Sequence, residues 1–251
     1  MTKLNIYFSN LFEELKILNG DNIVVCSNLS TFGISGKNLP KIIIKELKKA
    51  VGSNGTILMP LYTLGINPSK IFDKSKIYKN KYISLLSKCF FKTEAVKRSN
   101  CPIHSHIGLG KKSNILLKSN YKNTYGKNSD FHLMKKNKFK LILLGCSAQE
   151  GATYFHQIEA MKNLKYGKWI TFKRKIIKDK KIKVINVNFF EKKKIKHNLN
   201  NALKTISKKS KTFITVKNKY YNSSIIDINE LHKLTVLELN KNEYFLIKNA
   251  R

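Results

Sequence analysis

The chain has few acidic residues, and almost all of its positive charge comes from lysine. Aspartate and glutamate together number 15 against 49 lysines and arginines, which gives a formal net charge of +34. The arginines are only Arg98, Arg174 and Arg251, whereas base reading and bidentate phosphate binding favour the guanidinium group. Since the lysines spread along the whole chain, we expect solvated lysine faces and no specific nucleic-acid site. A basic nucleic-acid-binding protein stays an alternative, and it predicts that Tyr121 and Tyr125 are exposed for stacking on bases.

Cysteines and long apolar runs are also scarce. The four cysteines, Cys26, Cys89, Cys101 and Cys146, form no C-x-x-C pair, which favours reduced thiols over a disulfide framework. No run approaches the roughly 18 apolar residues of a membrane span, and residues 1–5 lead into an amphipathic segment where a secretory signal would carry its apolar stretch. We therefore expect a cytoplasmic protein without a membrane span.

Phosphate-binding glycine motifs and a complete metal-ligand set are missing from the sequence. Residues 108–112 lack the Ser or Thr after Gly-Lys and the upstream glycine of a P-loop, and no G-x-G-x-x-G follows either early strand. Cys101, His104 and His106 could bind a soft divalent metal, but the pattern assigns no fourth ligand. We predict neither nucleoside triphosphate chemistry nor a metal site.

The order of apolar runs and turn signals indicates the fold class. Residues 21–26 and 56–60 are predicted as short buried strands with a helix over 39–51 between them, which predicts a parallel crossover. Strand-like runs alternate with lysine clusters from residue 176 to residue 196. At 251 residues the chain can build one large domain. We predict an α/β fold with a mixed, largely parallel sheet flanked by helices and a smaller C-terminal α+β lobe.

The stretch 141–159 carries the clearest chemical signal. Four aliphatic residues end at Gly145 and predict a strand covered on both faces. The residues that follow predict a helix on which His156 and Glu159 lie one turn apart. A carboxylate at this spacing can hold the tautomer of an imidazole and stabilise the imidazolium that forms when the ring takes a proton. The pair predicts a general base, with an incidental surface ion pair as the alternative.

Five short motifs follow one another between residues 20 and 172. Residues 20–29 combine a strand with the loop Cys-Ser-Asn-Leu, residues 51–60 contain Gly-Ser-Asn-Gly-Thr and end at a proline, and residues 98–105 contain Arg-Ser-Asn-Cys-Pro-Ile-His-Ser. Residues 125–129 contain Gly-Lys-Asn-Ser, and residues 143–159 contain Thr-x-x-His-x-x-Glu. In order and spacing these motifs resemble the aminoglycoside 3-N-acetyltransferase family, the acyl-coenzyme A dependent antibiotic N-acetyltransferases. Residues 169–172 extend the resemblance.

Three positions depart from the family's pattern. Cys26 stands where the family usually has histidine, Asn28 replaces a serine, and Cys101 replaces the histidine of a His-Pro pair. The polarity of the implied site is altered at these points. A catalytically degenerate binding protein of the same fold is therefore one alternative to an enzyme.

The resemblance implies roles for particular residues and a co-substrate. It implies His156 and Glu159 as catalytic residues, acetyl-CoA or another acyl-CoA as acyl donor, and no metal. The residues implied to bind the cofactor are Ser27, Asn28, Leu29 and Ser105. The residues implied to contact the substrate or the oxyanion are Cys101, His104 and Thr153. The expected organisation is a single acyltransferase-like domain over residues 1–251, with a family-like core over 1–172 and a C-terminal lobe over 173–251.

The charge balance bears on the amine that would accept the acyl group. A polycationic aminoglycoside requires a site rich in carboxylates, and the chain has 15 acidic residues against 49 basic ones. We therefore expect a small-molecule amine, an anionic and nucleotide-linked amino sugar used in surface-glycan synthesis, with an aminoglycoside as the alternative. A homodimer is compatible with the sequence.

Overall fold

The computed structural model describes residues 2–65, 67, 69–80 and 83–248. Over these residues the helices are α1 (Lys3–Glu14), α2 (Leu39–Val51), α3 (Leu85–Thr93), α4 (Asp130–Lys136), α5 (Ala148–Gly151), α6 (Tyr154–Lys162), α7 (Leu199–Ser207) and α8 (Ile228–Lys241). The strands are β1 (Asn22–Ser27), β2 (Thr56–Pro60), β3 (Lys97–Arg98), β4 (His106–Gly110), β5 (Lys140–Leu144), β6 (Gly167–Lys178), β7 (Lys181–Lys192), β8 (Ile214–Val216) and β9 (Ser223–Asp227). None of the helices in these ranges is both long and apolar enough to span a membrane.

Seven strands form one mixed sheet in the order β3-β4-β2-β1-β5-β9-β8. At its centre β1 pairs in parallel with β2 on one side and β5 on the other. The outer pairings, β2 with β4 and β5 with β9, are antiparallel. The predicted mixed sheet is confirmed, and its parallel part is the central three strands. Within the segment predicted as a C-terminal lobe, β8 and β9 extend this same sheet.

Helices cover both faces of the sheet. Alternate side chains of β1 point to opposite faces, so that Ile23 and Val25 join one apolar cluster while Val24 and Cys26 join the other. Helices α1, α2 and α3 pack on the first face, and α4, α6, α7 and α8 pack on the second. Burial on both faces explains why the central strands are continuous apolar runs in the sequence.

Local capping sets where several helices begin. The predicted helix over residues 39–51 is α2, with Pro40 in its first turn where the missing N–H costs nothing. Ser129 caps α4 by accepting a hydrogen bond from the backbone N–H of His132. Ser147 and Glu150 form a capping box at α5, directly after β5. The cap of α5 places the start of that helix at the carboxyl end of β5, where ligands bind in open α/β sheets.

The turn after β5 requires a glycine. Gly145 has a φ of +63°, and a Cβ on it would lie 2.4 Å from Oγ1 of Thr31 and 2.7 Å from the ring of Phe32. Its backbone N–H donates to Oγ of Ser223 at 3.0 Å. Its carbonyl accepts a hydrogen bond from Oγ1 of Thr31 at 2.6 Å, which holds the end of β5 against the loop that follows β1.

We expect Gly145→Ala to lower the free energy of unfolding by about 2 to 4 kcal/mol, because left-handed strain and overpacking add. Gly20→Ala is the matched control, since Gly20 also has a positive φ of +90° but a Cβ there would meet nothing within 4 Å. The control should cost about 1 kcal/mol. Urea unfolding of both variants measures the difference, and equal losses would contradict the crowding at Gly145.

Candidate active site

A cleft of about 670 Å³ opens at the carboxyl ends of the parallel strands. Cys26 and Ser27 reach it from the end of β1, Tyr62 from the segment after β2, and His156 from α6. Lys192, the last residue of β7, lies on the same lining. The long β6-β7 hairpin therefore supplies part of the site. The other residues come from the main sheet, from the segments that follow its strands and from the helices packed on it.

Glu159 is the fully buried centre of a polar cluster beside this cleft. Its Oε2 accepts a hydrogen bond from Nδ1 of His156 at 2.6 Å and lies 3.4 Å from Nζ of Lys192. Its Oε1 accepts from Nε2 of His197 at 2.9 Å and from the hydroxyl of Tyr166 at 2.8 Å. Because an ionised carboxylate only accepts hydrogen bonds, His156 carries its proton on Nδ1 and leaves Nε2 as the basic atom.

Opposing effects set the protonation of the two partners. Burial alone raises the pKa of Glu159, but the hydrogen bonds from His156 and His197 outweigh it and hold that pKa below its ordinary value. Burial and the positive charge of Lys192 lower the pKa of His156, against the raising effect of Glu159. The cluster thus combines an ionised carboxylate with a neutral imidazole at neutral pH.

Sequence reasoning found two members of this cluster and missed three. His156 and Glu159 share one helix and are visible as a pair at a spacing of three. Tyr166, Lys192 and His197 come from the segments around the β6-β7 hairpin and reach the carboxylate only in the folded chain. Their local sequence carries no comparable signal. Lys192, for example, lies in a run of lysines.

Four of the other predicted site residues line the cleft. They are Ser27, Asn28, His104 and Thr153. His104 is 2 % exposed, and its Nδ1 has no hydrogen-bond partner among the described residues. Burial lowers its pKa well below the ordinary value. Thr153 directly precedes α6 and makes no side-chain cap to it.

The other three predicted site residues do not line the cleft. Leu29 is buried in the apolar cluster under α1 and α2. Ser105 is fully buried, and its hydroxyl donates to the carbonyl of Leu61 at 2.7 Å. Cys101 is buried, and its sulfur accepts a hydrogen bond from the backbone N–H of His104. Their side chains are committed to contacts in the protein interior.

The possible metal ligands that the described residues bring together differ from the Cys101, His104 and His106 that the sequence offered. His156, Glu159 and His197 offer ligand atoms that lie within 4.8 Å of one another. The 2.6 Å and 2.9 Å separations are hydrogen-bond lengths, whereas tetrahedral zinc would hold its ligand atoms roughly 3.3 Å apart.

Tyr125 is buried in the cleft wall and Tyr121 is half-buried under Lys178. The nucleic-acid alternative predicts that Tyr125 is exposed for stacking on bases, and this prediction is wrong.

The family model of the aminoglycoside 3-N-acetyltransferases matches residues 24–240. The chain therefore belongs to this family of N-acetyltransferases. The resemblance inferred from the motifs is thereby confirmed. A comparison with curated protein sequences gives no significant match.

Solved structures of low sequence identity share the fold. YokD protein from Bacillus subtilis is 18% identical with a TM-score of 0.84, over 95% of this chain and 94% of that chain. A variant of the aminoglycoside acetyltransferase AAC(3)-IVa in complex with a gentamicin is 18% identical with a TM-score of 0.80, over 98% and 91%. AAC-IIIb in a binary complex with CoASH is 16% identical with a TM-score of 0.82, over 94% and 96%. The shared fold thus extends over nearly the whole length of each chain.

We expect Glu159→Gln to lower the free energy of unfolding by about 3 to 5 kcal/mol, because Lys192, whose side chain is only 14% exposed, would lose its compensating charge. Glu191→Gln is the matched control, since Glu191 is 49% exposed and 3.8 Å from Lys168. The control should change stability by less than about 1 kcal/mol. Chemical unfolding of the two variants tests this, and similar small losses would contradict a central role for Glu159.

We expect Lys192→Gln to raise the pKa of His156, because a nearby positive charge that disfavours the imidazolium is removed. Lys193→Gln is the control, since Lys193 is the exposed neighbour on the chain. NMR titration of the His156 ring reports both. In the wild type the ring should lose its proton below the unperturbed value of about 6.5, and an unchanged titration in Lys192→Gln would rule out the assigned charge effect.

Proposed function

We propose that the protein is an acetyl-CoA-dependent N-acetyltransferase that acetylates the amine of an amino sugar of the aminoglycoside type. The observation that carries this proposal is the neutral His156 held by the buried Glu159 at the cleft. Membership of the family supports the reaction, and the CoASH complex of AAC-IIIb supports the donor. The gentamicin complex of the AAC(3)-IVa variant supports the acceptor class.

The cluster around Glu159 suits His156 to act as the base. An amine must lose a proton as it attacks a thioester carbonyl, and Nε2 of His156 is the atom that can take it. The Nδ1–H bond to Glu159 fixes the tautomer and stabilises the imidazolium that forms. A positioned imidazole typically contributes on the order of a hundredfold to ten-thousandfold to such a step. When bound, acetyl-CoA supplies the activated acyl group, and Ser27 and Asn28 on the cleft lining are the residues proposed to hold it.

One observation favours a second candidate acceptor. Among the described residues that line the cleft, Glu150 is the one carboxylate, and it already accepts hydrogen bonds from Ser147 and Asn28. Lys192 adds a positive charge to the same lining. A polycation gains little in such a site, whereas a nucleotide-linked amino sugar brings a diphosphate that a positive field attracts. We keep this anionic acceptor as the alternative.

A panel of acceptors with acetyl-CoA distinguishes the candidates. Release of free thiol that depends on an aminoglycoside supports the main proposal, and release that depends on a nucleotide-linked amino sugar supports the alternative. Calorimetric binding of coenzyme A without turnover on any amine would instead identify a degenerate binding protein. Nucleic-acid binding that does not depend on sequence and is lost at moderate salt would indicate nonspecific electrostatic attraction, and it would contradict a dedicated nucleic-acid-binding protein.

We expect His156→Ala to lower kcat at least a hundredfold while the affinity for coenzyme A changes little, because the ring acts mainly in the transition state. His132→Ala is the matched control, since His132 lies on α4 and does not line the cleft. Acetyl transfer and thermal unfolding are measured on the same preparations. A folded His156→Ala protein with unchanged turnover would remove His156 from the mechanism.

A further inference from the structure

A second buried histidine–carboxylate pair lies behind the part of the cleft lining that Tyr62 forms. Nδ1 of His106 and Oδ2 of Asp130 are 2.8 Å apart, and both side chains are 1% exposed. The backbone N–H of His106 also donates to the same Oδ2 at 3.1 Å. Because Oδ2 accepts the backbone N–H and also faces Nδ1, the His106 proton lies on Nδ1 and Nε2 is left as an acceptor. The pair shares the Nδ1-to-carboxylate contact of His156 and Glu159, but Oδ1 of Asp130 has no hydrogen-bond partner among the described residues.

Tyr62 connects this pair to the cleft. Its hydroxyl lies 3.3 Å from Nε2 of His106, and its side chain lines the cleft together with His156. The Tyr62 ring packs edge-on against His106 at 5.3 Å and against His104 at 4.8 Å between ring centroids. These contacts orient the phenol, and burial raises its pKa, so the group stays protonated. With the His106 proton on Nδ1, the hydroxyl donates to Nε2 of His106, and its oxygen also shares a side-chain hydrogen bond with Thr153 on the cleft lining.

The proposed acetyl transfer needs more proton acceptors than His156 alone. An amino sugar enters largely as an ammonium ion, which must lose one proton to become a nucleophile and a second after attack. The departing thiolate of coenzyme A must also gain a proton. In the tetrahedral intermediate the amine nitrogen and the sulfur are bonded to the same carbon. One group near that carbon can therefore serve both atoms.

We propose that Tyr62, supported by His106 and Asp130, is a second acid–base group of the reaction. The inference rests on the proposed function. An ammonium N–H proton passes to the Tyr62 oxygen while the Tyr62 hydroxyl proton passes to Nε2 of His106. The substrate becomes a neutral amine, Tyr62 is unchanged, and His106 becomes an imidazolium beside the Asp130 carboxylate.

The same path returns the proton. The neutral amine attacks the thioester carbonyl, and His156 takes the second proton from nitrogen. As the carbon–sulfur bond breaks, the thiolate takes the Tyr62 hydroxyl proton, and His106 restores it from Nε2. The products are the amide, the free thiol and one proton on His156, which accounts for both protons of the ammonium. Tyr62 is the catalytic residue here, whereas His106 and Asp130 are positioning residues that act through it.

The chain contains a matched tyrosine–histidine pair outside the cleft. The hydroxyl of Tyr154 lies 3.2 Å from Nδ1 of His232, and neither residue lines the cleft. Tyr154→Phe therefore removes the same kind of hydrogen bond at a position without access to substrate. It controls for any loss of stability that follows from deleting a buried hydroxyl.

We expect Tyr62→Phe to lower kcat by about a hundredfold with little change in KM for acetyl-CoA, and Tyr154→Phe to leave both unchanged. Asp130→Asn should lower kcat in the same direction. Since both changes interrupt one path, the double variant should lose no more than Tyr62→Phe alone. Thermal unfolding of each variant accompanies the kinetics. Additive losses would assign Asp130 a merely structural role and overturn the relay.

Nitrogen-15 NMR of the histidine rings tests the arrangement without activity. Tyr62→Phe should shift the Nε2 resonance of His106 while its Nδ1–H signal persists, and Tyr154→Phe should leave both in place. No shift in Tyr62→Phe would contradict the hydrogen bond that carries the proposal. A wild type that acetylates no amine would overturn the proposed function and the relay with it. An active wild type together with a folded, fully active Tyr62→Phe would overturn the relay alone.

Discussion

The site depends on the hydrogen bonds and the ion pair that the fully buried carboxylate of Glu159 makes. A buried charge is costly unless hydrogen bonds and opposite charge compensate it, and here the compensation comes from separate parts of the chain. His156 lies on the same helix, Tyr166 precedes β6, Lys192 ends β7, and His197 precedes α7. The hairpin must therefore dock against α6 before the charge is satisfied.

The same cluster explains why the His156 ring can accept a proton at neutral pH. The carboxylate holds the imidazole of His156 by Nδ1, while burial and Lys192 lower the pKa of that ring. From spacing alone, a carboxylate neighbour predicts a pKa near or above about 6.5. The structure reverses that expectation, because His156 is buried in the folded chain and Lys192 reaches the cluster from a distant strand. The neutral, basic form of His156 is therefore present at neutral pH.

What the sequence could predict was local, and what it missed was tertiary. Residues 39–51 form the predicted helix, and His156 and Glu159 share a helix face because helical periodicity is written in a short stretch. Lys192 and His197 lie 33 and 38 residues from Glu159 along the chain, so no spacing rule reaches them. The family motifs located the cleft, but a motif does not tell whether one of its residues lines the site or supports it from behind.

Ser105 shows how a motif residue can serve the site without touching a ligand. Its hydroxyl and the guanidinium of Arg98 both donate to the carbonyl of Leu61, at 2.7 Å and 2.9 Å. Arg98 also donates to Oγ of Ser105 at 3.1 Å. These bonds join the segment that carries Tyr62 to the segment that carries His104 and His106. Because the carbonyl next to Tyr62 is held by two buried donors, the phenol has little freedom to move relative to the histidines. The motif thus supports the part of the cleft lining that carries Tyr62 and His104.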